Sequence, residues 1–266
     1  MDIASVQLGT LRVSRFIIGG NPFSGFSHQS REHDEEMLAW YSEERIVDTL
    51  FQAESLGVTA TILRGDERIA RCLAEYWRRG GTMRWVAQTA SQSSTQEDGV
   101  RFCVEHGASA CFIHGGIVDN YLVQGRQDDL RRAVERIRAL GLPCGIAGHE
   151  VDSFRWAEEH LDVDFYMACY YNPSPRRDSP HHVHGTAERF APGHRAERVA
   201  MIATLSRPAV HYKVLAAGRL SAEEGLADAA AHMRPQDAVC VGIYTRANPQ
   251  MLRQDLAILT RALARR

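Results

Sequence analysis

The sequence predicts one (β/α)8 TIM barrel spanning residues 1–266, and three observations carry that prediction. Short apolar runs recur eight times, helix-like stretches separate them, and the chain length matches the roughly 250 residues that this fold uses as one unit. The runs occupy 16–20, 58–63, 85–89, 110–115, 143–147, 163–171, 210–216 and 238–244. A strand covered on both faces needs apolar residues at successive positions, so it reads as a continuous run. The intervening segments are rich in Ala, Leu, Glu and Arg. Their apolar residues are spaced by three and four, as in Ile46-Thr49-Leu50-Ala53 and Leu130-Ala133-Val134-Ile137, which lines one face of a helix. Turns at Gly57, Gly107 and Gly141 follow these segments and suit helix C-caps.

Taken in order, the runs place polar residues at their carboxyl ends. The first ends Gly19-Gly20-Asn21, the second Arg64-Gly65-Asp66, and the third brings Gln88. The fourth ends at His114, the fifth at His149-Glu150 and the sixth at Tyr170-Tyr171-Asn172. The seventh carries Lys213 and the eighth Tyr244-Thr245-Arg246. Two segments break the rhythm: 21–44, polar and aromatic, and 173–195, with four prolines and His181, His182, His184 and His194. Both follow a strand, so both lie on the face where barrel active sites are built. Long loops in compact domains are usually lids or binding loops.

Composition bounds the function classes. A net charge of −2 leaves no electrostatic footprint for nucleic acid or an acidic membrane surface. No apolar stretch approaches the ~18 residues of a membrane span. The start Met1-Asp2-Ile3-Ala4 lacks the basic and apolar regions of a signal peptide, and six scattered cysteines form no CxxC pair. The expectation is a reduced, cytoplasmic protein that acts on a small molecule, with no nucleic-acid or membrane partner. Nothing in the sequence sets its oligomeric state.

Several segments resemble the aldo-keto reductase superfamily. Residues 212–220, Tyr-Lys-Val-Leu-Ala-Ala-Gly-Arg-Leu, resemble its strand-seven motif Y-S-P-L-A-x-G-x-L, and 248–256 resemble its final-helix motif N-P-E-x-L-E-E-N-L. Phe112-Ile113-His114 resembles L-I-H of strand four, Tyr171-Asn172 the pair ending strand six, and 8–10 with 16–20 the opening. The resemblance implies a barrel that reduces carbonyls with a nicotinamide hydride, using a Tyr donor tuned by Lys and Asp, with a His that orients the carbonyl. Of those four residues only His114 is retained. Ile62 stands for the Asp and Gln88 for the Lys, and no Tyr follows strand two. Residues 145–149, Gly-Ile-Ala-Gly-His, stand where the family has G-V-S-N-F, so Ala147, Gly148 and Ala168 replace the Ser, Asn and Gln that grip the nicotinamide carboxamide, and Lys213 replaces a Ser on the cofactor phosphate.

These losses favour a repurposed, non-redox site. His114 and His149 could serve as acid and base, because imidazole titrates near neutrality. Lys213 could bind an anion, stabilise an enolate or form a Schiff base, with Tyr171 as a fourth catalytic candidate. Asn21, Arg64, Gln88, Glu150, Asn172 and Tyr244 are the candidate substrate contacts. Isomerase, epimerase or lyase chemistry on a small polar carbonyl or sugar-like compound suits this inventory. Lys213 and Glu150 could instead merely pair across the rim. A divalent metal on His114, His149 and Glu150, helped by Asp178, His181, His182 or His184, is a further option. The alternative is a divergent NADP-dependent carbonyl reductase, with Gly218, Arg219 and Arg246 as cofactor contacts. A catalytically inactive binding barrel, using 19–26 as its ligand loop, is the third class.

Overall fold

The computed structural model describes residues 3–90, 92–172, 176–181 and 190–265. The barrel is made by β3 (Phe16–Gly19), β4 (Ala60–Arg64), β5 (Arg84–Gln88), β6 (Ala110–Ile113), β7 (Cys144–Gly148), β8 (Phe165–Cys169), β9 (Ala209–Tyr212) and β10 (Ala238–Gly242). All pair in parallel, and the ring closes in the order β10-β3-β4-β5-β6-β7-β8-β9. Before it, β1 (Ser5–Leu8) and β2 (Leu11–Ser14) form an antiparallel hairpin that the run pattern did not predict. At four residues each, with only partial alternation, these strands are too short for a periodicity signal.

The helices are α1 (Arg31–Trp40) and α2 (Glu43–Ser55) after β3, α3 (Glu67–Arg78) after β4, and α4 (Gln96–Glu105) after β5. Then α5 (Gly115–Val123) and α6 (Gln127–Ala139) follow β6, and α7 (Val151–His160), α8 (Pro192–Thr204), α9 (Ala222–His232) and α10 (Met251–Leu263) follow the remaining strands in turn. Their starts carry side-chain caps where the local sequence supplies an acceptor: Ser30, Ser42, Asp66, Thr95, and Ser221 with Glu224 as a full capping box. The segment 21–44 contains all of α1 and the start of α2, and is not a bare loop. Of the second long segment, 173–175 and 182–189, with His182 and His184, lie outside the described residues.

Strand geometry sorts the side chains into two cores. Successive residues of a strand point to opposite faces. Ile17, Ala60, Ile62, Val86, Ala110, Phe112, Ala147, Phe165, Met167, Val210, Ala238 and Cys240 fill the barrel interior, and Val6, Leu8 and Val13 of the hairpin join them. The opposite parity, including Phe16, Ile18, Leu63, Trp85, Cys111, Ile113, Ile146 and Tyr166, packs against the helices. All six cysteines are buried and free. No helix among the described residues is long and apolar enough to cross a membrane.

Two runs overshoot their strands. β8 stops at Cys169, and β9 stops at Tyr212 because Lys213 turns into the left-handed region with φ 58°. Just outside the barrel the Tyr170 hydroxyl donates to His211 Nδ1 at 3.0 Å, and His211 Nε2 donates to Asp237 at 3.2 Å. Asp237 also accepts from Arg234 Nε at 3.0 Å and from the Ala209 N–H at 2.8 Å. Burial alone would raise the Asp237 carboxyl, but the bonds from His211 and Arg234 outweigh it and hold it at about 2.

Candidate active site

Extending the inward parity by one step beyond the apolar interior gives the upper layer of the barrel. Arg64 follows Ile62, Gln88 follows Val86, His114 follows Phe112, His149 follows Ala147, and Tyr212 follows Val210. All five line a cavity of about 640 Å³ over the carboxyl ends of the strands. Gly19 and Gly242, paired in register, stand at the same level on β3 and β10. A Cβ on Gly19 would meet Cys240 Sγ at 2.8 Å, so this side of the mouth is kept free of side chains.

His149 is held there by its backbone and its ring. Its Nδ1 donates to Asp119 at 2.8 Å, and its backbone N–H reaches the same carboxylate at 3.0 Å. Asp119 sits on α5 and also accepts from Ser153 Oγ at 2.7 Å, so it is buried yet saturated. With the proton fixed on Nδ1, Nε2 accepts, and the Tyr212 hydroxyl lies 3.4 Å away. Gly115 makes room for the ring: a Cβ there would sit 3.0 Å from His149 Cε1. Burial, then the Lys213 charge, lowers the His149 pKa against the opposing pull of Asp119. Burial also pushes the Tyr212 phenol well up, so the resting chain is neutral imidazole and neutral phenol.

His114 is held well below the usual imidazole range by burial, then by His149, Arg176, Arg64 and Lys213. Its Nδ1 is buried without a hydrogen-bond partner. Arg176 is brought in by the segment after β8, whose backbone is tied to α5: Asn120 Nδ2 donates to the carbonyls of Arg176 and Arg177 at 3.0 and 2.9 Å. On the other side Gln29 Nε2 donates to Ala217 O at 2.7 Å and Arg219 to His28 O at 3.2 Å, latching the segment after β3 onto the turn after β9. That turn is strained: Lys213, Ala216 and Ala217 all have positive φ, a conformation that non-glycine residues tolerate at functional sites.

His114, His149, Lys213, Asn21, Arg64, Gln88, Tyr244 and Gly218 all line the cavity. Tyr171, Glu150, Asn172, Arg219 and Arg246 do not. Tyr171 is buried against Phe190, its ring centroid 5.4 Å away. Glu150 accepts from Asn172 Nδ2 at 2.6 Å and lies 3.8 Å from Arg198, so its prospective pairing with Lys213 is replaced by another. Arg246 pairs with Glu36, and Arg219 stacks over Phe190 at 4.2 Å. Sequence reasoning missed Asp119 and Arg176, and it weighed Tyr212 only as part of a motif. For Tyr212 the inward parity of β9 was the available signal.

The metal option needs correction. Among the described residues no group of three or more His, Cys, Asp or Glu side chains is disposed to hold an ion. His149 Nδ1 is committed to Asp119, and Glu150 has turned away from the cavity to Asn172.

Asn248, Gln254 and Asp255 line the far end beside α10, and Gly218 lines the turn after β9. From β7 and β8 the lining takes Ala147, His149 and Met167, which offer no side-chain amide to a carboxamide, and His149 is bonded to Asp119. The residues present do not fit the nicotinamide ring.

No family model and no curated protein matches the sequence. Among solved structures the chain is similar to PA4992 of Pseudomonas aeruginosa, provisionally described as an aldo-keto reductase. The TM-score is 0.67 at 16% identity, covering 97% of this chain and 96% of that one. It is also similar to Gox0644, with a TM-score of 0.60 at 9% identity, covering 99% and 93%. At such identities the likeness is one of fold: this chain is a (β/α)8 barrel built like that of an aldo-keto reductase-like protein.

Proposed function

We propose that this protein is an acid–base enzyme of isomerase, epimerase or lyase type acting on a small polar carbonyl or sugar-like compound. The observation that carries this reading is the chain Asp119–His149–Tyr212, which runs from a saturated buried carboxylate to a phenol facing the cavity. A hydroxyl backed by an oriented imidazole is a proton-transfer device. As the C–H proton next to the substrate carbonyl moves to the Tyr212 oxygen, the phenol proton passes to His149 Nε2. The carbon's electron pair becomes an enediolate, and Asp119 stabilises the imidazolium. The enediolate oxygen takes hydrogen bonds from neutral His114 and Gln88, with Lys213 near Tyr212, its Nζ 6.0 Å from the ring centroid. Return of the proton to the neighbouring carbon, as the hydroxyl proton passes from one enediolate oxygen to the other, completes an isomerisation.

Asn21 and Arg64 supply further polar contacts. Six buried free cysteines support a cytoplasmic setting, and the near-neutral net charge supports a small-molecule partner in preference to nucleic acid or membrane.

The test is hydrogen exchange followed by NMR in D2O on a panel of hydroxy-ketones and hydroxy-aldehydes. The wild type is expected to label the carbon next to the carbonyl, and Tyr212→Phe and His149→Asn to do so at least about a hundredfold more slowly. Labelling no faster than in buffer across the panel would remove the reading.

A second reading, a divergent NADP-dependent carbonyl reductase, is favoured by the extension of the cavity to Asn248 and Asp255. Calorimetric titration with NADPH separates the two: micromolar binding supports the reductase, and none at millimolar cofactor removes it.

A further inference from the structure

We infer that the substrate of this site carries a phosphate group, gripped between Arg64 and Arg176 across the barrel mouth; the inference rests on the acid–base reading and names its substrate class. In the closed ring, β4 and β8 stand diametrically opposite, with four steps between them in either direction. Arg64 ends β4, Arg176 lies in the segment that follows β8 and is tied to α5 through Asn120, and both side chains line the cavity. Both act on the same imidazole, His114, which rises from β6 midway between them.

Each arginine has a buried Nε with no hydrogen bond, although Arg64 already pairs with Asp66. Arg176 is 7% exposed, and its Nε is buried without a hydrogen-bond partner. Arg64 gives one guanidinium nitrogen to Gln92, and its Nε, also without a hydrogen bond, stands 3.5 Å from Asp66 and outside the cavity lining. Lys213 lines the same cavity. Among the described residues the lining contains one carboxylate, Asp255 on α10. Gathering cations in a low-dielectric pocket is costly unless a counter-charge arrives.

Two planar forks match the three oxygens and double negative charge of a phosphate better than the two oxygens of a carboxylate. With the phosphate fixed at the mouth, a carbonyl two or three bonds away would fall within the cavity that His114, Gln88 and Tyr212 line.

The test is calorimetric titration of the whole protein with inorganic phosphate and, separately, with acetate. It compares the wild type, Arg64→Gln, Arg176→Gln and a control, Arg155→Gln, on the exposed face of α7. Wild type and control should bind phosphate equally and acetate more weakly, and each cavity variant should lose at least about tenfold in phosphate affinity. Absence of phosphate binding to the wild type, or equal binding by all four proteins, overturns the inference. Acetate binding more tightly than phosphate also overturns it, in favour of a carboxylate substrate. Circular dichroism reports folding, and Arg64→Gln decides alone if Arg176→Gln does not fold. Turnover is not read, so phosphate binding together with inert hydrogen exchange would leave the anion site standing and remove only the acid–base reading.

Discussion

Asp119 accepts both the Nδ1–H and the backbone N–H of His149, at 2.8 and 3.0 Å, so one carboxylate sets where the imidazole stands and which nitrogen faces Tyr212. Replacing Asp119 by Asn keeps the shape but offers an amide that can donate to Nδ1, turning the ring to the wrong tautomer. Hydrogen exchange on the substrate is expected to fall by about 10²- to 10⁴-fold, mainly in kcat, with an unchanged circular dichroism spectrum. A shift confined to KM would mean that Asp119 only shapes the binding surface. Asp119→Ala should cost about 3 kcal/mol in urea unfolding, because it strands buried donors.

Acid should weaken the fold in a defined window. The pKa values of His114, His149 and His211 are all lowered from 6.5, each first by burial. The unfolded chain therefore takes up protons that the folded one refuses, and stability falls as pH drops below about 6.5 towards the folded values. Above 6.5 both states are neutral at these positions and the term is flat. Asp237 adds a second loss between its unfolded value, near 3.8, and about 2. Melting temperature against pH checks this, and a flat profile from 6.5 to 4.5 would contradict it. The same lowering places the acid limb of turnover below pH 6.5.

The hairpin closes the floor of the barrel, and Leu8, fully buried among the interior residues, is its plug. Leu8→Ala should destabilise the protein by about 2–5 kcal/mol, read from the urea midpoint. A cost under about 1 kcal/mol would mean that the hairpin merely leans on the barrel.

Ala217 holds φ 55° and ψ 44° in the turn after β9. An L-residue pays roughly 1–2 kcal/mol for that conformation and glycine does not, although glycine loses more freedom on folding. Ala217→Gly is thus expected to raise stability by up to about 1 kcal/mol, visible as a higher melting temperature. A lower one would show that the alanine methyl contributes packing that outweighs its strain.

The barrel was legible in the sequence because burial on two faces writes strands as unbroken apolar runs, and covering helices write a spacing of three and four. The upper layer was partly legible: Arg64, Gln88, His114 and His149 ended their runs in plain view. Asp119 was not, since it lies inside α5 and reaches the site only because β6 and β7 are neighbours. Arg176 was hidden for the same reason, its place being set by Asn120 on that same helix. Tyr171 misled because the run 163–171 did not reveal that pairing stops at Cys169, after which the chain turns and the tyrosine meets Phe190 instead of the cavity.

His211 and Tyr212 are consecutive on β9, yet each belongs to a hydrogen-bonded chain of one tyrosine, one histidine and one aspartate, the first sealed outside the ring and the second open to the mouth. A shift of β9 by a single residue would exchange the two, sending the phenol into the helix layer and the imidazole into the cavity. Segment 206–208 sets that phase. The exposed side chains of Ser206 and Arg207 are therefore open to exchange by a protein engineer, whereas adding or removing one residue there would trade the working hydroxyl for a misplaced ring.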